Sequence, residues 1–391
     1  MSMWVLFSGS AQMRLLSLMQ SRLFLTIFYF YIIFGLYVSL LVVIKGTYDF
    51  TFLKSYLNGL FSFVFCAFFV SLFSKRENSR REIYLLFSSL IIVQSLIVIL
   101  MMFNEPLRVF IQAYTQSDDL QERMATYMGV RGLGLAGSVA FGFAITMALL
   151  MLCLSRWLYE SNIKFKYIIC TAIFFLCAFA SLSAGRTAIL GIILSVFYII
   201  YLNGWHLNKL YFMIVRLCIY VVMISVLFYF VAPYFEGLGD TLVYYSQYVF
   251  QSFYNYYHYG TFSVSSLETL KDMYFYPDGD IWFGDAMYTG NDGEYYLDTD
   301  AGYMRFMLYF GFFGSVIFYA FFAWCFYYLF SLFKGNAHDN VLLIIIFFMS
   351  FVFHYKGEVV MYNVSFMKVI FIIFLLSLFC HEEKNPERNI C

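Results

Sequence analysis

The chain has 391 residues, of which 62% are hydrophobic, 23% aromatic and only 12% charged, and its formal net charge is zero. A soluble domain cannot hide that much apolar surface, and without a basic excess or cluster a nucleic-acid partner is not expected. Eight cysteines lie in apolar runs or at the C-terminus with no C-x-x-C spacing, which argues against structural disulfides and a zinc site.

A membrane span needs about 20 apolar residues. Ten segments read that way: 23–44, 56–74, 83–103, 133–154, 167–184, 187–202, 211–233, 304–333, 341–355 and 366–380. The stretch before the first span carries Arg14 and Arg22 without a cleavage site, so this span reads as an anchor, with Met13 a candidate start. Basic residues at 75–82, and Arg156, Lys164 and Lys166 further on, mark cytoplasmic loops.

The expected organisation is therefore all-α and polytopic. Spans one to seven occupy residues 1–233, a large outer loop 234–301, spans eight to ten 302–380, and a cytoplasmic tail 381–391. The outer loop holds 11 of the 24 acidic residues and one basic residue, Lys271, and is long enough to fold as a small cap. Its opening run YYSQYVFQSFYNYYHYG (244–260) predicts an interfacial helix, with sugar-stacking platforms as the alternative. No internal repeat suggests an inverted-repeat transporter.

Charge collects at the outer ends of the spans. In SAGRTAILG (183–191) Arg186 sits between two apolar runs, where a guanidinium needs an anionic partner, water or a snorkelling path to the headgroups. Two short crossings between Lys166 and Asn203 predict a recessed turn. Gly185 there suits a backbone conformation closed to other residues, and a helix from about Thr187 offers its amides as a weak anion site. DTDAGYMRFMLYFGFFG (298–314) brings Asp298, Asp300 and Arg305, with an Asp300–Arg305 ion pair as the plain alternative. FVFHYKGE (351–358) supplies His354, Lys356 and Glu358, and GVRGLGLAG (129–137) supplies Arg131. Arg131, Arg186, Arg305 and Lys356 at four outer span ends suit a membrane-tethered anion such as a diphosphate, whose oxygens arginine forks bind in pairs.

These pieces resemble the O-antigen polymerase (Wzy-type) family of Gram-negative inner membranes, related in fold to the O-antigen ligases. The resemblance rests on the Arg131 segment, SAGRTAILG, the outer loop leading into Asp300, Gly302, Tyr303 and Arg305, and the Lys356 element. Arg131 and Gly142 fit the R-x10-G spacing of some members, whereas Gly311 and Gly314 are offset from Arg305. The resemblance implies a GT-C-like glycosyltransferase that moves the growing glycan from undecaprenyl diphosphate onto an incoming lipid-linked repeat unit at the periplasmic face. It implies as partners undecaprenyl-diphosphate-linked oligosaccharide and membrane lipid, with a chain-length regulator and a flippase beside them.

Arg131, Arg186, Arg305 and Lys356 would hold the diphosphate. Candidates for the base are Asp300 first, for its closeness to Arg305 in sequence, His258 second, for its reference pKa near neutrality, then Glu358 and Glu268. With no metal-ligand spacing and no Walker A sequence, neither a metal nor another cofactor is expected. An O-antigen ligase of the same fold, and a lipid-linked oligosaccharide flippase or other transporter whose path the cations line, are the competing readings.

Overall fold

The structure, a computed structural model, describes residues 9–72, 79–117, 121, 131–137, 140–161, 166–204, 238–262, 265–290, 293–332 and 337–382. In chain order its helices are α1 (Gly9–Gln20), α2 (Arg22–Lys45), α3 (Thr51–Ser71), α4 (Ser79–Phe103), α5 (Glu105–Thr115), α6 (Ala140–Glu160), α7 (Lys166–Ala184) and α8 (Ala188–Leu202). Then come α9 (Leu238–Val249), α10 (Gln251–Tyr259), α11 (Ser265–Asp272), α12 (Gly302–Leu332), α13 (Ala337–His354) and α14 (Val364–Glu382). The described residues also hold a single 3-10 turn at Tyr296–Asp298 and an isolated bridge between Thr289 and Tyr295.

Six helices, α2, α3, α4, α6, α12 and α13, are long and apolar enough to cross a membrane, and α7, α8 and α14 are shorter apolar helices. This is the makeup of a polytopic membrane protein. Nine of the ten expected spans fall on these helices, while 211–233 lies outside the described residues. The largest departures from the expected boundaries are in α3 and α6. α3 begins at Thr51, ahead of the apolar run; its N-cap Phe50 gives no side-chain bond, but Asp49 just before it accepts the Thr51 N–H at 3.0 Å. α6 begins only at Ala140, after a non-helical stretch in which Gly134 has φ +55°. Its end correspondingly takes in Arg156, expected in a loop but found buried and paired with Glu160 at 2.8 Å.

The chain divides into two compact units, residues 1–82 with 266–391, and residues 83–265. Of residues 234–301, the expected outer loop, 234–265 fall in the second unit and 266–301 in the first. In the first unit α14 packs along α3, and α12 packs on α13, α14 and α2. Aromatic rings fill this core: Phe52 meets Phe306 edge-on at 5.7 Å, Phe306 meets Phe318 at 5.3 Å, and Phe34 tilts against Phe318 at 5.0 Å. Much of the unusual aromatic content is thus core.

α12 is broken at Gly311, whose φ of 69° and ψ of −172° no helix contains. Residues 281–286 lie against the break and satisfy its backbone. Asp285 and Ala286 donate to the carbonyls of Leu308 (2.7 Å) and Tyr309 (3.0 Å), and the amides of Phe312 and Phe313 donate to those of Ile281 (2.8 Å) and Trp282 (3.2 Å). The Tyr37 hydroxyl covers the Phe310 carbonyl at 3.4 Å. From Phe312 to Leu332 there remain about 21 residues, or about 31 Å, enough to cross the hydrocarbon core unaided. The short arm Gly302–Phe310 is thereby released to build a site, and it carries Arg305.

In the second unit α6 is buried along most of its length, with α7 and α8 packed on it and Gly191 of α8 set directly against Ala148. α9 docks on α7 through Tyr245, whose ring lies 4.4 Å from that of Phe179 and whose hydroxyl donates to the Phe179 carbonyl at 2.8 Å. The aromatic run is helical as expected, in two helices meeting at Phe250. Beyond that junction Tyr256, Tyr257 and Tyr259 are exposed.

Candidate functional site

Arg305, one turn into the short arm of α12, is 3% exposed. A buried guanidinium must be paired, and its Nε pairs with Glu358 Oε1 while Nη2 donates to the Tyr288 carbonyl at 3.1 Å. The guanidinium carbon lies 3.6 Å from the centroid of the Tyr288 ring and 4.0 Å from that of Tyr295, a cation between two aromatic faces. Nη1 is buried with no acceptor among the described residues. The expected Asp300–Arg305 pair is therefore replaced by Glu358–Arg305.

Local chemistry brings Glu358 there. His354, at the end of α13, is fully buried, and its Nδ1 accepts the N–H groups of Val359 (3.0 Å) and Val360 (3.3 Å). The ring is thus neutral, with Nε2 toward the Tyr319 hydroxyl at 2.8 Å. This folds residues 355–360 back over the start of α12, where only a residue without a Cβ fits: a side chain at Gly302 would collide with the carbonyls of His354 and Gly357. His354 positions the site rather than reacting in it.

Tyr288 is held equally firmly. Its N–H and that of Thr289 donate to Asp49 Oδ2 at 2.6 and 2.8 Å, its hydroxyl donates to Glu358 Oε1 at 2.6 Å, and that hydroxyl also contacts the Tyr362 hydroxyl. Burial pushes the Glu358 carboxyl above its ordinary range, Arg305 and Tyr288 pull against this, and Asp300 adds to it. Burial likewise raises Asp300, which lies half-buried in the opposing fields of Lys356 and Arg305. Asp49 is lowered, since three backbone amides and the Thr51 hydroxyl outweigh its partial burial. A carboxyl raised toward neutrality beside a fixed cation can take up a proton from a bound hydroxyl.

The second unit holds Arg131, Arg186 and His258. Arg186 is half-buried, its Nη1 donates to Gln251 Oε1, and its guanidinium lies 5.3 Å from the centroid of Tyr248. Arg131 reaches the Ala184 carbonyl at 3.5 Å and the Gly132 amide bonds Ser183 Oγ at 3.2 Å, so both arginines attend one turn. Two expectations for that turn are corrected. Gly185 is not left-handed; it is needed because a Cβ would press on Ala144 at 2.9 Å. The first amides of α8 are not free for an anion, since Ala188, Ile189 and Leu190 donate to Gly185, Arg186 and Thr187. His258 is exposed on α10, with its ring 4.3 Å from Tyr254, and Glu268 is exposed on α11.

Of the expected site residues, Asp300, Arg305, Lys356 and Glu358 thus belong to the first unit, and Arg131, Arg186 and His258 to the second. Tyr288, Tyr295, Asp49 and the positioning role of His354 were not anticipated. No sequence signal separates Tyr288 and Tyr295 from 35 tyrosines, whereas Asp49, a lone acid between two spans, was visible as an oddity. The chain matches no family model, no curated protein and no solved structure.

Proposed function

We propose that this chain is a glycan polymerase of the O-antigen type, a GT-C-like enzyme of the bacterial inner membrane working at the periplasmic face. The observation that carries the reading is Arg305: a buried guanidinium between two tyrosine rings, with one edge that meets no acceptor among the described residues and a carboxyl of raised pKa against it. A diphosphate leaving group needs preorganised positive charge, and an acceptor hydroxyl needs a nearby base. Arg305 and Lys356 are the cations and Glu358 the base, with Asp300 behind it.

In the step, the acceptor hydroxyl oxygen attacks the anomeric carbon of the glycan. The bond from that carbon to the diphosphate oxygen breaks, and its electron pair leaves with undecaprenyl diphosphate. The hydroxyl proton passes to the carboxylate of Glu358. Direct displacement inverts the anomeric configuration.

Side-chain contacts support part of the proposed topology. Lys45 at the end of α2 pairs with Asp280 at 2.8 Å, and Asp49, Arg305 and Glu358 share the Tyr288 cluster, so these helix ends lie on one side of the membrane. The expected span at 211–233, which would return the chain to that side before α12, lies outside the described residues. Reporter fusions after Asp285 should be active in the periplasm, and fusions after Arg81 and Cys391 in the cytoplasm.

The deciding experiment incubates purified protein with lipid-linked repeat units, a chelator and no nucleotide. Polymer with inverted linkages is expected. Absence of polymer, or retained configuration, would sink the reading. Deleting the gene should leave lipopolysaccharide core carrying one repeat unit; core alone, with polymer on the lipid carrier, would mark a ligase instead.

A further inference from the structure

Resting on that reading, we infer that Glu358 is a stand-in anion: an incoming diphosphate oxygen displaces it from Arg305, and the displaced carboxylate then serves as the base. The present pairing is a poor use of the arginine. One carboxylate oxygen engages Nε, a backbone carbonyl takes Nη2, and Nη1 is buried without an acceptor among the described residues, although a guanidinium presents paired donors to a phosphate. A ligand with several oxygens can satisfy the edge that Glu358 leaves open.

Displacement does not strand Glu358. Its Oε1 already accepts from the Tyr288 hydroxyl at 2.6 Å, and the Tyr362 hydroxyl lies against that of Tyr288, so a hydroxyl donor remains when the arginine goes. Charge supplies the timing. Arg305 and Lys356 balance Asp300 and Glu358 in the resting cluster. A diphosphate adds negative charge next to Glu358, and a like charge raises a carboxylate's affinity for a proton. The base is therefore strengthened by the arrival of the group whose departure it assists. The way in runs past Tyr295, which is 51% exposed over the guanidinium and leads into Leu297 and Asp298, both at φ 53°, a conformation that side chains resist.

The test is calorimetric titration of inorganic pyrophosphate into the purified full-length protein, alongside the polymerisation assay. Glu358→Gln, which removes the competing charge, should bind pyrophosphate about tenfold more tightly while transfer falls by about a hundredfold or more. Tyr288→Phe keeps the ring on Arg305 but takes away the donor that receives the displaced carboxylate, and should bind about threefold more weakly; it decides the matter if Glu358→Gln does not fold. Unchanged or weaker binding in Glu358→Gln, unchanged or tighter binding in Tyr288→Phe where Glu358→Gln does not fold, or no pyrophosphate binding by the wild type, overturns the exchange. Tightening in Glu358→Gln without any polymer from the wild type leaves the exchange standing and removes the glycan reading. Polymer with unchanged affinities removes the exchange alone.

Discussion

Arg305 and Arg186 each stand where an apolar helix begins, yet they are held by opposite means. Arg305 is buried, ion-paired and enclosed by rings, while Arg186 is half-buried against an amide and a tyrosine. Burial accounts for the contrast: a guanidinium out of water requires a carboxylate, whereas a half-buried one keeps part of its hydration and depends less on any one partner. The same residue type in similar sequence surroundings thus ties into the core in one unit and remains at the rim of the other.

The largest effect should come from Arg305→Ala. With no diphosphate bound, it leaves the buried Glu358 carboxylate with the Tyr288 hydroxyl but no cation, and is expected to remove transfer and to lower stability by about 3–5 kcal/mol in thermal unfolding. Adding Glu358→Gln should restore most of the stability and none of the transfer. Arg186→Ala, whose guanidinium takes no part in the proposed step, should keep transfer and change stability by less than about 1 kcal/mol. Equal stability losses at the two arginines would erase the contrast.

The pH dependence sharpens it. Glu358 and Asp300 are raised by burial, so transfer should fail as pH drops through a window above the ordinary carboxylate range. Over that window stability should rise, because burial favours the neutral carboxyl and its cost is relieved on protonation. Asp49 has the opposite sign: its depressed pKa contributes stability above the ordinary aspartate value, lost only as pH falls through the depressed one. Rates and melting temperatures across pH, with Glu358→Gln as reference, check both; an acid limb unchanged in that variant would reassign the base.

A smaller effect is expected of Asp49→Asn. It weakens the bonds to the amides of Tyr288 and Thr289, costs about 1–2 kcal/mol and slows transfer through a displaced Tyr288. Smallest is Tyr245→Phe, which removes one hydrogen bond to Phe179 for about 1 kcal/mol and should leave pyrophosphate binding unchanged. A change in binding there would tie α9 to the Arg305 site.

The helices were legible because a run of apolar residues is a local property; α7 and α8 fall within a residue of their expected limits. Arg305, Lys356 and Glu358 were legible as charges where apolar runs begin or end. Their pairing was not. It depends on the turn that His354 folds back, on the bare Cα of Gly302, and on Tyr288, which Asp49 holds from the far end of the sequence. Such links join distant positions through backbone groups that every residue carries, and composition has no access to them. The break in α12 escaped for the same reason, being hidden in an apolar run with no proline.

That break is closed almost wholly by main-chain atoms of residues 281–286. Such a seam places little demand on the side chains along it. Substitutions can accumulate there without disturbing the arm that carries Arg305, provided Gly284 and Gly311, at φ 75° and 69°, are kept. The joint on which the site depends is thus the part of the molecule that sequence drift can most readily disguise.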